Sequence, residues 1–153
     1  YNFLFLVLGL VASMSLSAKT YTIHLEPCSF NPTAMCTNVS ISGYQMKDVV
    51  IDTGATTSQL TYKDFIELRK RGVLSSSNFL CESTARDANG TERKTQRYRI
   101  ESLNIDGVLV QNLVVIFTSK DCPNAKRLLG LNFFKFFRFF MVDFEDNTLM
   151  LIK

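Results

Sequence analysis

The residues of this chain best suited to chemistry are Asp52, Thr53 and Gly54, which directly follow an apolar run. A short apolar run that ends at a polar turn indicates a buried strand, and such a strand would hold the Asp52 carboxylate in one place. A carboxylate held in this way can act as a general base or a general acid. Gly54 allows a close approach of backbone or substrate, and the small residues Ala55 and Thr56 follow. The segment therefore predicts a catalytic loop around one aspartate.

The elements that position this loop occur twice in the chain. Residues 41–51 align with residues 105–115 at a constant offset of 64. Each copy predicts a strand, a turn at a glycine and a second strand. The first copy leads into Asp52, whereas the second leads through a polar connection to an apolar pair and a glycine: Leu128, Leu129 and Gly130. Each chain thus supplies one carboxylate of this kind.

This spaced pair of motifs resembles that of retropepsin-like aspartic proteases, in particular the single-domain, bacterial-type branch. In that family two carboxylates share one proton and activate a water molecule against a peptide bond. The resemblance implies that Asp52 is catalytic and that Leu128–Gly130 is its structural counterpart in the second repeat. With one such aspartate per chain, it implies a homodimer in which the two Asp52 side chains meet. The implied substrate is an extended peptide or unfolded protein, and neither a metal nor a cofactor is required.

The resemblance also implies an all-β fold with one or two short helices, in which a closed, barrel-like protomer forms a two-fold dimer. An Asn-Gly pair between two strand-like runs predicts a hairpin, which stands where the family has the flap that closes over substrate. The flap would consist of Asp87, Ala88, Asn89, Gly90 and Thr91. An ordinary surface hairpin gives the same pattern. Thr61 and Asp64 predict the start of a helix that ends at Gly72.

The C-terminal part of the chain is rich in phenylalanine. For residues 132–140 the resemblance implies a helix packed on the core, and a cationic aromatic helix on a membrane surface is the alternative. Residues 148–152 predict a terminal strand. In retropepsin-like dimers the chain ends interleave in a sheet between the subunits, so this strand is predicted to form the dimer interface.

Two segments precede the protease-like domain, which is assigned to residues 37–153. Residues 1–17 contain an apolar stretch typical of a secretory signal peptide, with an uncleaved membrane anchor as the alternative. The predicted location is therefore the periplasm or the cell exterior, with anchoring to the membrane left open. Residues 18–36 predict a strand followed by a loop between cysteines.

The four cysteines are compatible with export, because they are even in number and lack metal-binding spacing. Proline and asparagine between Cys28 and Cys36 indicate a loop that a disulfide could close, which leaves Cys81 to pair with Cys122. Four reduced thiols are the alternative.

The composition indicates a single ordinary globular domain, because the chain has 153 residues, of which 46% are hydrophobic. A net charge of +3 does not favour nucleic acid as a partner, and the basic residues at 93–99 alternate as on a solvated strand face. The one histidine, His24, cannot build the usual metal site alone. The rival hypothesis is a non-catalytic, dimeric retropepsin-fold module that binds an extended peptide or an envelope partner.

Overall fold

The computed structural model describes residues 18–153, so the predicted leader at 1–17 lies outside the described residues. This part of the chain contains two α-helices, α1 (Tyr62–Lys70) and α2 (Leu131–Phe134), and a 3-10 turn at Ser76–Asn78. Its strands are β1 (Thr20–His24), β2 (Glu26–Cys28), β3 (Asn31–Ile41), β4 (Tyr44–Ile51), β5 (Ser58–Leu60), β6 (Phe79–Arg86), β7 (Glu92–Ile105), β8 (Val108–Phe117), β9 (Arg127–Leu129), β10 (Phe139–Asp143) and β11 (Thr148–Ile152). The mostly-β fold is confirmed. Among residues 18–153, no helix has the length and hydrophobicity needed to cross a membrane.

Six strands form a closed ring. They follow one another in the order β3-β4-β9-β5-β8-β7, and the pairing of Ser40 with Asn104 joins β7 back to β3. Strand β2 extends the sheet beside β3, and β6 extends it beside β7. The prediction of a closed, barrel-like protomer is thus confirmed. The core of the protein is apolar, and Ile23, Leu68, Ile105 and Phe133 are each 0% exposed.

The internal repeat is visible in the backbone. Positive φ angles occur in the first copy at Ser42, Gly43 and Asp48, and in the second copy, 64 residues later, at Asp106, Gly107 and Asn112. The two copies also exchange their parallel pairings, because β4 pairs with β9 while β8 pairs with β5. The crossed pairing brings the end of β4, which carries Asp52, against a strand that follows the second copy.

Helix α1 forms where the capping pair predicts it. The Thr61 hydroxyl accepts a hydrogen bond from the Asp64 backbone N–H at 3.2 Å, and the Asp64 carboxylate accepts one from the Thr61 N–H at 3.0 Å. Beyond the helix end, Gly72 has a φ of +70°, and its N–H donates to the Arg69 carbonyl. Phe65 of α1 packs on Tyr98 and Phe117, so the helix covers one face of β7 and β8.

A second, three-stranded sheet lies at the chain ends in the order β1-β11-β10. The predicted terminal strand is confirmed as β11, but both of its edges pair within the chain. A strand in this position cannot be interleaved with a partner strand, so the predicted interleaving of Thr148–Ile152 is corrected. Strands β1 and β10 are the edges that this sheet presents.

The phenylalanine-rich segment is not one helix. Helix α2 ends at Phe134 and strand β10 begins at Phe139, so the expected helix over 132–140 is corrected. Phe133, Phe134 and Phe137 are buried, and they account for the core-packed part of the expectation. Phe136 and Phe139 are exposed. The short helix turns the chain into the sheet at the chain ends.

The cysteines follow the sequence prediction only in part. Cys28 and Cys36 form a disulfide, and the segment between them is the β2–β3 hairpin rather than a loop. Cys81 and Cys122 are free thiols, so the second expected disulfide is wrong. The Cys122 sulfur lies 3.6 Å from Arg93, which pairs with Ala85 of β6. Since Cys81 lies four residues from Ala85 along the same strand, about 13 Å separates the two sites.

Candidate active site

Strand β4 fixes the backbone of Asp52 from both sides. Val49 is 0% exposed in the core, and Ile51 pairs in register with Leu129 of β9. One residue later, the Asp52 N–H donates to the Leu129 carbonyl at 3.0 Å. The end of β4 is therefore held between core packing and the parallel strand β9, which is the rigid support that a catalytic carboxylate needs.

The loop after β4 folds back onto the Asp52 side chain. The N–H groups of Gly54 and Ala55 donate to Asp52 Oδ1 at 2.9 and 3.2 Å. Both bonds go to the same oxygen, so Oδ2 keeps its acceptor capacity for water, substrate or a second carboxyl group. A Cβ on Gly54 would lie 3.2 Å from Oδ1, which explains why the smallest residue stands here.

Residues 130–132 hold the Asp52 loop in place through backbone hydrogen bonds and close packing. The Leu131 N–H donates to the Ala55 carbonyl at 2.8 Å, and the Asn132 N–H donates to the Thr56 carbonyl at 3.2 Å. Gly130 packs so tightly that a Cβ there would lie 2.8 Å from both the Ala55 oxygen and the Thr57 carbonyl carbon. The structure thus brings together the two motifs that the sequence places 76 residues apart, at Asp52 and Leu128.

Two polar residues in this support were not predicted from the sequence. The side-chain oxygen of Asn132 accepts hydrogen bonds from the Ser58 N–H at 2.7 Å and the Ser58 hydroxyl at 2.8 Å. The Asn132 amide donates to the Val114 carbonyl, and Ser58 Oγ accepts from the Gly130 N–H. The only signal in the sequence is that Asn132 interrupts an apolar segment. Its side chain links β5, β8 and the start of α2.

Replacement of Gly130 by Ala is expected to destabilise the protomer by about 1–3 kcal/mol, because the new Cβ would overlap backbone atoms that cannot move freely. The free energy of unfolding from denaturant titration measures this effect. Gly107→Asn is the matched control, because Gly107 has open space around it and asparagine tolerates its φ of +83°. Equal stability of the two variants would contradict the tight contact.

A row of side chains crosses the sheet beside the Asp52 loop. Cross-strand register places on one face, in neighbouring strands, the residues Val50, Leu128, Gln59, Ile116 and Arg97. We refer to these five residues as the cross-sheet row. Because side chains alternate along a strand, Val50 and Asp52 point to the same side of β4. Ile116 is only 7% exposed although it faces away from helix α1, so its neighbours on this face cover it.

A comparison with protein-family models identifies the family to which this chain belongs. The model described as "gag-polyprotein putative aspartyl protease" matches residues 37–136, which include the Asp52 loop, the hairpin and Leu128–Gly130. The chain belongs to this aspartyl protease family. No curated protein matched the chain.

The fold of this family member is also found in a solved structure. The crystal structure of a retropepsin-like aspartic protease from Rickettsia conorii has a TM-score of 0.57 and 20% sequence identity. The match covers 89% of this chain and 94% of that chain. At this identity the likeness shows the retropepsin-like fold.

The hairpin predicted in this aspartyl protease family member is confirmed. Strands β6 and β7 pair up to Arg86 and Glu92, and the connection spans residues 87–91. Asp87 Oδ1 accepts hydrogen bonds from the N–H groups of Asn89 and Thr91, and Gly90 has a φ of +82°. The tip is thus a closed, exposed turn.

An ion pair joins strand β9 of the protease fold to helix α1. Arg127 donates to the two oxygens of Asp64 at 2.8 and 2.9 Å, and the Asp64 side chain is 0% exposed. Tyr44 also donates to Asp64, at 2.9 Å. Burial acts to raise the pKa of Asp64, but the hydrogen bonds from Arg127 and Thr61 outweigh it and hold that pKa below its ordinary value. The hydrogen bond to Asp64 raises the pKa of Arg127.

The candidate site contains one carboxylate and no cluster of metal ligands. In residues 18–153, no group of three or more histidine, cysteine, aspartate and glutamate side chains is placed to hold a metal ion.

Proposed function

We propose that this chain is an aspartic endopeptidase that hydrolyses peptide bonds as a homodimer, with Asp52 of each protomer in one shared site. The main support is the Asp52 loop, in which Gly54 and Ala55 fix one carboxylate oxygen and leave the other available. Family membership supports the same chemistry. Two carboxylates within a few ångströms cannot both ionise readily, so in the proposed dimer one of the two keeps its proton.

The shared proton defines the reaction. The ionised Asp52 takes a proton from a water molecule, and the water oxygen attacks the carbonyl carbon of the scissile peptide bond. The protonated carboxyl group gives its proton to the carbonyl oxygen, which forms a neutral tetrahedral intermediate. As the C–N bond breaks, the carboxyl group that received the water proton donates it to the amine nitrogen, and the other carboxylate takes a proton from a hydroxyl group of the intermediate. The exposed 87–91 hairpin is the candidate flap over the substrate.

The sheet at the chain ends supports self-association. Register places Phe139 opposite Ile152 and Met141 opposite Met150, so one face of β10 and β11 carries a continuous apolar surface. Phe139 is 53% exposed and Met141 is 50% exposed. A partner protomer that covers this apolar surface would remove it from water.

The double variant Phe139→Glu/Met141→Glu is expected to convert the dimer to a monomer and to remove protease activity with it. Four charges on two facing copies would oppose burial of this surface, whereas the protomer core would keep its packing. Sedimentation measures the oligomeric state, and cleavage of an unfolded protein from acidic to neutral pH measures activity. Leu109→Glu is the control, because Leu109 is 59% exposed in β8, outside this sheet.

Two other outcomes of these measurements would contradict the proposed function. A monomeric double variant that still cleaves substrate would contradict the shared site. A wild-type dimer that binds unfolded protein without cleaving it would favour the non-catalytic module. Truncation after Asn147 is a poorer test, because it removes Leu149 and Leu151, which are 0% exposed in the core.

We also propose that the protein acts after export. The Cys28–Cys36 disulfide supports this location, because disulfides persist in oxidising compartments.

A further inference from the structure

Arg97 lies at the far end of the cross-sheet row. It pairs with Ile116 of β8 on one side and with Cys81 of β6 on the other. Its Nε atom is buried and has no hydrogen-bond partner within residues 18–153. Buried polar groups are normally hydrogen-bonded, so a buried donor without a partner needs an explanation. An incoming acceptor would provide one.

The surroundings of Arg97 carry positive charge. Thr95, Arg97 and Arg99 alternate along the same face of β7, and Arg93 precedes them. The side chains that β6 contributes to this face are uncharged: Cys81, Ser83 and Ala85. Asp87 contacts Arg93 at 3.7 Å, and no salt bridge reaches Arg97 from any described residue. The guanidinium group of Arg97 is thus uncompensated.

The row also connects Arg97 to the catalytic loop. Val50, at the other end of the row, points to the same side of β4 as Asp52. Four strand spacings separate β4 from β7, which is about 19 Å along the curved sheet. An extended peptide rises about 3.3 Å per residue, so roughly six residues span this distance. A substrate bound at Asp52 along the row would therefore reach Arg97.

We propose that Arg97 forms a specificity subsite that selects peptides with an aspartate or glutamate within about six residues of the scissile bond. The substrate carboxylate would accept hydrogen bonds from the Arg97 guanidinium and would compensate the charge of this face. Val50, Leu128 and Ile116 form the apolar floor between this subsite and Asp52. The proposal deepens the proposed protease function and rests on it.

The test begins with peptides derived from a site that the wild-type enzyme cleaves in an unfolded protein. Each of the six positions on either side of the bond receives glutamate or, in a matched peptide, glutamine. For wild type, kcat/KM is expected to be about tenfold higher for glutamate at one position or more. In Arg97→Met this ratio is expected to fall to about one, and in Arg97→Glu below one.

Two further variants separate charge recognition from folding. Arg97→Lys keeps the charge and is expected to retain part of the preference for glutamate. Arg69→Met removes an exposed charge from α1 and is expected to keep the whole preference. A wild-type enzyme that cleaves without preferring glutamate, or an Arg97→Met variant that keeps the preference, would overturn the subsite and leave the protease function standing.

Binding distinguishes failure of the subsite from failure of the protease function. Fluorescence anisotropy measures the Kd of labelled glutamate and glutamine peptides for the Asp52→Asn dimer and for Asp52→Asn/Arg97→Met. Tighter binding of the glutamate peptide that depends on Arg97 would support the subsite even if wild type cleaves nothing. Equal binding of both peptides by both proteins would overturn it.

Discussion

Replacement of Asp52 by asparagine is expected to reduce peptide-bond hydrolysis by at least about a thousandfold. An amide can neither take a proton from water nor share one with a second carboxyl group. The side-chain oxygen of the introduced asparagine could still accept from the N–H groups of Gly54 and Ala55, so the loop and the fold are expected to remain. Initial rates of cleavage of an unfolded protein, measured from acidic to neutral pH, check the loss. Equal cleavage by both proteins would show that another protease is responsible.

Mixed dimers of wild type and Asp52→Asn test whether the two protomers share one site. If each site uses one Asp52 from each protomer, an equal mixture of wild type and Asp52→Asn that has exchanged subunits keeps roughly one quarter of the activity. Protomers that act alone would keep one half. An exchanged mixture with half the activity would therefore refute the shared site while leaving Asp52 catalytic. Subunits with two different affinity tags allow the exchange itself to be measured.

The sequence predicts the part of the fold around Asp52 well because its signals are local and occur twice. The offset between 41–51 and 105–115 predicts two strand–turn–strand units, and the structure repeats even their positive φ angles at Asp48 and Asn112. Short strands β5 and β9 could not be read in this way, since three residues carry little pattern. Their pairing, which joins Leu128 to Val50 and Gln59, depends on the whole barrel.

The incorrect predictions concern contacts that spacing alone does not determine. An even number of cysteines allows several pairings, and only the register of β6 on β7 shows that Cys81 lies opposite Arg97. Likewise, the phenylalanine-rich segment has no strong helical stripe, and pairing of Phe139 with Ile152 makes its second half a strand. Ser58 and Asn132 were missed because a hydrogen bond between residues 74 apart leaves no mark on either local sequence.

The ion pair between Asp64 and Arg127 is expected to have the largest effect on stability. Arg127→Met should lower the free energy of unfolding by about 3–5 kcal/mol, because it leaves the fully buried Asp64 without its charged partner. Asp64→Asn should lower it by less, because Arg127 is 23% exposed and keeps its hydrogen bond to the Lys47 carbonyl. Arg127 also donates to the Lys47 carbonyl at 2.8 Å, so it ties β9 to β4, the strand that leads to Asp52. The expected loss is therefore accompanied by loss of activity. Denaturant titration measures the first and substrate cleavage the second.

Two controls test whether the loss of stability comes from the pairing of Asp64 with Arg127. Glu67→Gln removes an exposed pair with Lys70 from the same helix and should change stability by less than about 1 kcal/mol. The double variant Asp64→Asn/Arg127→Met should be more stable than the sum of the single losses predicts, since neither buried charge is then left alone. Additive losses would contradict direct coupling between the two side chains.

The same pair gives the stability of the protein a defined dependence on pH. The pKa of Asp64 in the folded protein lies below its ordinary value of 3.8, and we take that ordinary value for the unfolded chain. Above it, the contribution of the ionised carboxylate is complete; as pH falls below it towards the folded pKa, the contribution is lost. Wild type should therefore lose stability below about pH 4 more steeply than Asp64→Asn does. Parallel curves of unfolding free energy against pH would assign the acid sensitivity to other groups. If the two curves converge as the pH falls, protonation of Asp64 accounts for the loss of stability in acid.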